Sequence, residues 1–188
     1  MALDCRARET DADAMRLILL RHAKAEKAEA GQRDHTRRLN ARGRDEAPVI
    51  GAYMARHGLV PDRALVSTSA RTRETWERVA TELSARPQVI NEERLYNAGS
   101  EAILALVKET EPAVRTLLLV GHNPGLHDLA RLLIATGDVE ARERLNENLP
   151  TSGLAVIDFA GKDWRKVHAH GGRLERFVSP RSLAADRV

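Results

Sequence analysis

Cysteine is nearly missing from this chain: Cys5 is the only one, so no disulfide can form within it. A thiol phosphatase needs an arginine six positions after its cysteine, and Asp11 stands there instead. Aromatic residues make up only 3% of the sequence, so leucine, valine, isoleucine and alanine must fill the core. That composition suits an α/β layered fold better than an aromatic-rich β-sandwich. No stretch of about 18 apolar residues offers a membrane span. Neither GxxxxGK[ST] nor GxSxG occurs, which gives no support to a P-loop nucleotide enzyme or a serine hydrolase of that type.

Charge of one sign is also not in excess: 30 Lys and Arg face 27 Asp and Glu. Of the 30 basic residues 25 are arginine, scattered among acids rather than gathered in a run. A nucleic-acid footprint calls for a basic stripe with stacking aromatics. The expectation is therefore an arginine-rich cytoplasmic protein that binds neither nucleic acid nor membrane. Residues 1–15 carry arginines and acids but no apolar core of a signal peptide. They are expected to be a disordered tail, or an upstream start ahead of Met15, followed by one domain over 16–188.

What the chain does have is an alternation of strand and helix signals. The continuous apolar run of residues 16–20 reads as a buried strand of a parallel sheet. Residues 40–58 read as a helix with Asn40 as N-cap and Gly58 as stop, weakened inside by Pro48 and Gly51. Strands follow at 63–68, 87–91 and 116–120, with helices at 71–84, 100–111 (started by Ser100) and 126–135. Residues 153–160 and 164–171 read as a closing strand pair turned at 161–163. The pattern predicts an open, mostly parallel α/β sheet with helices on both faces.

In such a sheet, ligands bind beyond the carboxyl ends of the strands. "LILLRHAKAE" places Arg21 and His22 at one such end, and "LLLVGHNPG" places Gly121 and His122 at another. "STSARTRET" brings Arg71 to a third, at the start of its helix. Helix N-termini favour anions, and arginine's planar fork matches two phosphate oxygens at once. Histidine adds a nucleophilic nitrogen near neutral pH. Together these predict a phosphate pocket in which one imidazole attacks phosphorus. Arg21, His22 or His122 taken singly would be an ordinary strand-end charge or structural histidine; the repeated placement is what argues otherwise. Gly121 is read as serving the strand-to-helix turn. His127 lies off the one-turn spacing of a metal pair and reads as structural, and His168 and His170 share one face of a strand with no third ligand in view.

The motifs "LRHAKAE", "SARTRET" and "VGHNPG", in this order, resemble those of the histidine phosphatase superfamily. "RDHTRRLNARGRDEAPVIGAYM", "ERLYNAG" and "LVGHNPGLHDLARLL" are similar to its SixA-type phosphohistidine phosphatase branch. The likeness spans residues 16–160. It implies a phosphoglycerate mutase-like three-layer sandwich, His22 as the phosphorylated nucleophile, and Arg21, Arg71 and His122 as holders of the phosphoryl oxygens, with no metal or cofactor. Members that cleave phosphate esters also use an acid, for which Glu93 aligns best and Glu92 second; SixA-type members can lack it. Only 49 positions separate His22 from Arg71, which leaves little room for the extra segments of the mutases. The partner implied is a phosphorylated histidine-containing signalling protein. Alternatives are a broad small-molecule phosphomonoesterase using Glu93 and, outside enzymes, a phosphate-recognition module without turnover.

Overall fold

A computed structural model describes residues 14–185 of the chain. Seven strands form one sheet: β1 (Ala14–Arg21), β2 (Arg63–Ser67), β3 (Gln88–Glu92), β4 (Thr116–Gly121), β5 (Ile134–Gly137), β6 (Leu154–Ala160) and β7 (Gly172–Val178). Their spatial order is β3-β2-β4-β1-β6-β7-β5. Four strands, β3, β2, β4 and β1, run parallel. β6 is antiparallel to both of its neighbours, and β5 pairs parallel to β7, so β6 alone among these seven runs against the rest.

Six helices cover the sheet: α1 (Ala41–Arg56), α2 (Ala70–Ala80), α3 (Ser100–Lys108), α4 (Gly125–Leu133), α5 (Val139–Glu147) and α6 (Pro180–Ala185). Side chains alternate across a strand, and β1 shows why its apolar run is unbroken. Leu17 and Leu19 join the core under α3 and α4, while Ile18 and Leu20 join the one under α1 and α2. Both faces are dry, and each fully buried leucine or isoleucine contributes about 1.5–3 kcal/mol. The three layers match the sequence expectation.

Asn40 does cap α1, its side chain accepting from the Gly43 N–H at 2.9 Å. Ser100 is the first residue of α3, but the cap position is Gly99, with no side-chain bond. Other boundaries moved. The tail boundary at 15 falls inside β1, where Ala14 and Met15 pair with Ala160 and Phe159; residues 1–13 lie outside the described part. The helix expected over 126–135 stops at Leu133, because Ile134 and Ala135 begin β5.

The strand expected at 164–171 is absent. Trp164 and Val167 are buried three positions apart on a tight helical turn, and the Trp164 indole N–H donates to the Val114 carbonyl at 2.7 Å. The strand follows at 172–178, where a register shift against Val156 and Ile157 breaks the alternation. His168 and His170 therefore do not share a strand face. His168 Nδ1 is bonded to its neighbour's carbonyl, Ala169 O, at 2.9 Å, and His170 adopts φ 56°.

Candidate active site

Backbone register brings the two histidines together. β1 and β4 are adjacent and parallel, with Arg21 opposite Gly121, so His22 and His122 leave the sheet side by side. The His22 N–H still bonds the Gly121 carbonyl at 3.1 Å. Beyond this point the strands' helices part: α1 packs on one face, with Ile50 and Met54 in one core, and α4 on the other, with Leu126 and Leu129 in the second core. The parting leaves the crevice expected at a switch point. Arg71 enters from the first turn of α2, beyond the end of β2, where Ser69 caps the helix by accepting from the Thr72 N–H.

The crevice is a cavity of about 720 Å³, and Arg21, His22, Asp34, Arg37, Arg71 and His122 are among the residues lining it. Five cationic side chains, with Lys24 and Lys27 added, face two carboxylates there, Asp34 and Glu26. The two imidazole centroids are 5.2 Å apart. Sequence reasoning named His22, Arg21, Arg71 and His122 separately, and the fold brings all four to this one cavity.

His22 Nδ1 lies 2.8 Å from the Ala23 carbonyl. A carbonyl only accepts, so Nδ1 carries the proton and Nε2 keeps its lone pair. Burial pushes the His22 imidazole down to about 4, helped by the charges of Arg71, Arg21 and Arg37 and opposed by the Ala23 bond. His122 is pushed down to about 3 by burial, with His22 and Arg71 adding to it. Both rings are neutral at pH 7. Arg71 Nη2 approaches His122 Nδ1 at 3.4 Å, a long contact, and Ser67 Oγ lies 2.9 Å from Nε2. The guanidinium can only donate, which makes Nδ1 the acceptor and leaves Nε2–H to donate to Ser67.

The arginines are held from behind. Arg21 donates to the Leu149 carbonyl at 2.9 Å, and the Asn123 side chain donates to the same oxygen at 2.9 Å. Arg71 donates to Asp34 twice, to its carbonyl at 2.7 Å and to Oδ2 at 2.8 Å. The Nε atoms of Arg21 and Arg71 are buried with no protein hydrogen-bond partner.

Asp34, Arg37 and Tyr96 were missed in the sequence. Tyr96 O–H donates to Asp34 Oδ2 at 2.8 Å, and Arg37 Nε lies 3.1 Å from Oδ1. Burial works against ionisation of Asp34, but the bonds from Tyr96 and Arg71 and the charges of Arg71 and Arg37 together hold it below the usual carboxylate range. Asp34 and Arg37 lie in the RDHTRRLN stretch and Tyr96 in ERLYNAG; neither has a periodicity that shows which side chains meet. His35 lies beside them, with Nε2 2.9 Å from Thr68 Oγ1.

Glu93 lies on the surface and is not among the residues lining the cavity. Glu92 is engaged by Arg94, whose hydrogen bonds lower its carboxyl further below the usual range. Gly121 has no positive φ, and an added Cβ would meet Leu126 at 3.4 Å, in ordinary contact. The glycine that the turn requires is Gly125, where a Cβ would run into the Ala98 carbonyl. His127 Nε2 lies 2.6 Å from the Leu145 carbonyl, a structural bond. Among the described residues no group of three or more His, Cys, Asp or Glu is placed to hold a metal ion, and no helix is long and apolar enough to cross a membrane.

Comparison with known proteins agrees with this geometry. Residues 17–102 match the histidine phosphatase superfamily (branch 1). The chain belongs to that superfamily, in its SixA-type branch, and is a phosphatase. A protein from Agrobacterium tumefaciens provisionally assigned as the phosphohistidine phosphatase SixA is 35% identical; the match covers 88% of this chain and 98% of that one, with a TM-score of 0.75. A similarly assigned protein from Nakamurella is 29% identical over 89% and 96% of the two chains, with a TM-score of 0.76. An uncharacterized protein of Mycobacterium tuberculosis is 35% identical over 86% of this chain and its own full length.

Proposed function

We propose that this phosphatase hydrolyses phosphohistidine on a signalling protein through a covalent phosphoryl group on His22. The observation that carries the reading is the His22 ring: buried, neutral, and with Nδ1–H tied to Ala23 so that Nε2 is left as the nucleophile. In the first step the Nε2 lone pair forms a bond to phosphorus, the P–N bond of the substrate breaks, and its electron pair stays on the departing imidazole. In the second, water attacks phospho-His22, releasing inorganic phosphate and restoring the ring. Arg21, Arg71 and His122 hold the phosphoryl oxygens through both steps. Phosphoryl transfer depends chiefly on positioning and charge stabilisation, which the two guanidiniums supply by their charge and His122 by hydrogen bonding.

The absence of Glu93 from the cavity lining favours this substrate over a phosphate ester. An alkoxide leaving group needs a proton at the departing oxygen, whereas imidazole is a weaker base and departs more easily. The test compares a phosphorylated histidine protein with an aryl phosphate, using wild type and His22→Ala. A kcat/KM far higher for the first than for the second supports the reading. Comparable turnover of both points to a broad phosphomonoesterase, and binding without release points to a recognition module. Full activity in His22→Ala overturns the assignment of the nucleophile.

A further inference from the structure

A carboxylate inside a cavity of cations calls for an explanation, since its charge repels a phosphoryl group. Asp34 is half-exposed, at 50% for its side chain, while its partner Arg71 is at 5%. Of the two acids lining the cavity, it is the one bonded to Arg71, which itself reaches His122. The carboxylate thus stands one guanidinium beyond the phosphate site, on the side open to solvent. Two donors, from Arg71 and Tyr96, bond Oδ2, while Arg37 Nε lies beside Oδ1 at 3.1 Å as an ion-pair contact only; a carboxylate has about four acceptor positions, so those on Oδ1 remain open to a further donor.

We infer that Asp34 is the specificity-determining residue of this site, its carboxylate accepting the N–H of a protonated imidazole leaving group. The inference rests on the phosphohistidine reading above. The chemistry of the P–N bond makes the role specific. A phosphoimidazole protonated on its remote ring nitrogen loses phosphorus as a neutral imidazole: the P–N electron pair goes to the departing nitrogen, and the proton stays where it was. No acid is needed at the departing atom. What helps is an anion that keeps the remote N–H in place while the ring still carries positive charge. Asp34 is ionised, as its lowered carboxyl pKa requires, so it is the wrong species to protonate an alkoxide and the right one to face an imidazolium. The cation–anion contact is a charge-assisted hydrogen bond, stronger than a neutral one.

A purely structural role, with Asp34 only steadying Arg71, would affect all substrates alike. The test is therefore a ratio. Wild type and Asp34→Asn, which keeps an acceptor for Arg71 and Tyr96 but removes the charge, are assayed with phosphoimidazole and with p-nitrophenyl phosphate, whose leaving group has no N–H. The ratio of kcat/KM for phosphoimidazole over the aryl phosphate is expected to fall tenfold or more in Asp34→Asn. Asp34→Glu, which restores the charge, is expected to recover part of that loss. A ratio unchanged within twofold, whether both activities fall together or neither does, overturns the inference alone. Wild type that turns over the aryl phosphate but not phosphoimidazole overturns the phosphohistidine reading and this inference with it.

Discussion

The imidazoles of His22 and His122 lie 5.2 Å apart, centroid to centroid, and tilted by 56°, although a hundred positions separate them in the chain. Both are within reach of a single phosphoryl group, and both are neutral for the same physical reason: burial beside arginines makes the charged ring costly.

That shared neutrality has a consequence for stability. In the unfolded chain both rings titrate near about 6.5, and in the folded protein they titrate at about 4 and about 3. Between those limits the unfolded state binds more protons, so stability rises with pH there. The contribution is complete above about pH 6.5 and is lost progressively as the pH falls through about 4 for His22 and about 3 for His122. Urea unfolding at pH 7 and pH 5 should show a larger loss for wild type than for a His22→Asn, His122→Asn double variant. Equal losses would contradict the buried neutral pair.

Arg71 should not tolerate lysine. Its two terminal nitrogens donate to different oxygens of Asp34, and one ammonium on a flexible stem cannot reproduce a planar fork. Arg71→Lys is expected to lower kcat/KM by about 100-fold or more and to weaken inhibition by inorganic phosphate. Values within threefold of wild type would show that the fork geometry is not used.

Ser67 is the hydrogen-bond partner of His122 Nε2. Its hydroxyl, 2.9 Å from Nε2, accepts from Nε2–H and can turn to donate when Nδ1 takes the proton to bind a phosphoryl oxygen. Ser67→Ala removes that exchange and leaves a buried ring nitrogen unpaired, at a cost of about 1–3 kcal/mol. Activity is expected to drop about tenfold, with the His122 ring nitrogens changing their shifts in nitrogen NMR. Unchanged ring signals would mean that the hydroxyl does not govern the proton.

The strand-end motifs were legible because the chemistry there sits at abrupt edges of apolar runs. Leu17–Leu20 end on Arg21 and His22, and Leu117–Val120 end on Gly121 and His122, so the sheet and three of the candidate site residues could be read together. Asp34 and Arg37 were not legible, since they lie in a polar stretch whose position depends on contacts with Arg71 and Tyr96 from distant elements. β7 was displaced in the reading because its bulge spaces Leu174 and Phe177 by three rather than two, while Trp164 and Val167 mimic a strand's apolar content on a tight turn. α5 buries only Leu145 fully, which left no helical stripe to detect. The acid expected at Glu93 came from alignment of a short motif, and the fold leaves that side chain outside the cavity lining.

Gly125 should be the least replaceable glycine of the α4 entry. A methyl group there would collide with the Ala98 carbonyl and press on Ile103, forcing backbone to move in a packed region. Gly125→Ala is expected to destabilise by about 1–3 kcal/mol, read as a lower midpoint of denaturant unfolding, whereas Gly121→Ala meets only ordinary contact with Leu126 and should cost less. Equal midpoints for the two variants would refute the packing argument.

The central claim is that phosphorus is carried on His22. Rapid quenching of the enzyme in alkali during turnover of a phosphorylated histidine protein, followed by peptide mass spectrometry, tests it directly. The account predicts a phosphoryl group on the peptide containing His22, lost in His22→Ala and longer-lived in His122→Asn. A phosphoryl group found on His122 instead, or on neither ring while turnover proceeds with a burst, would contradict it.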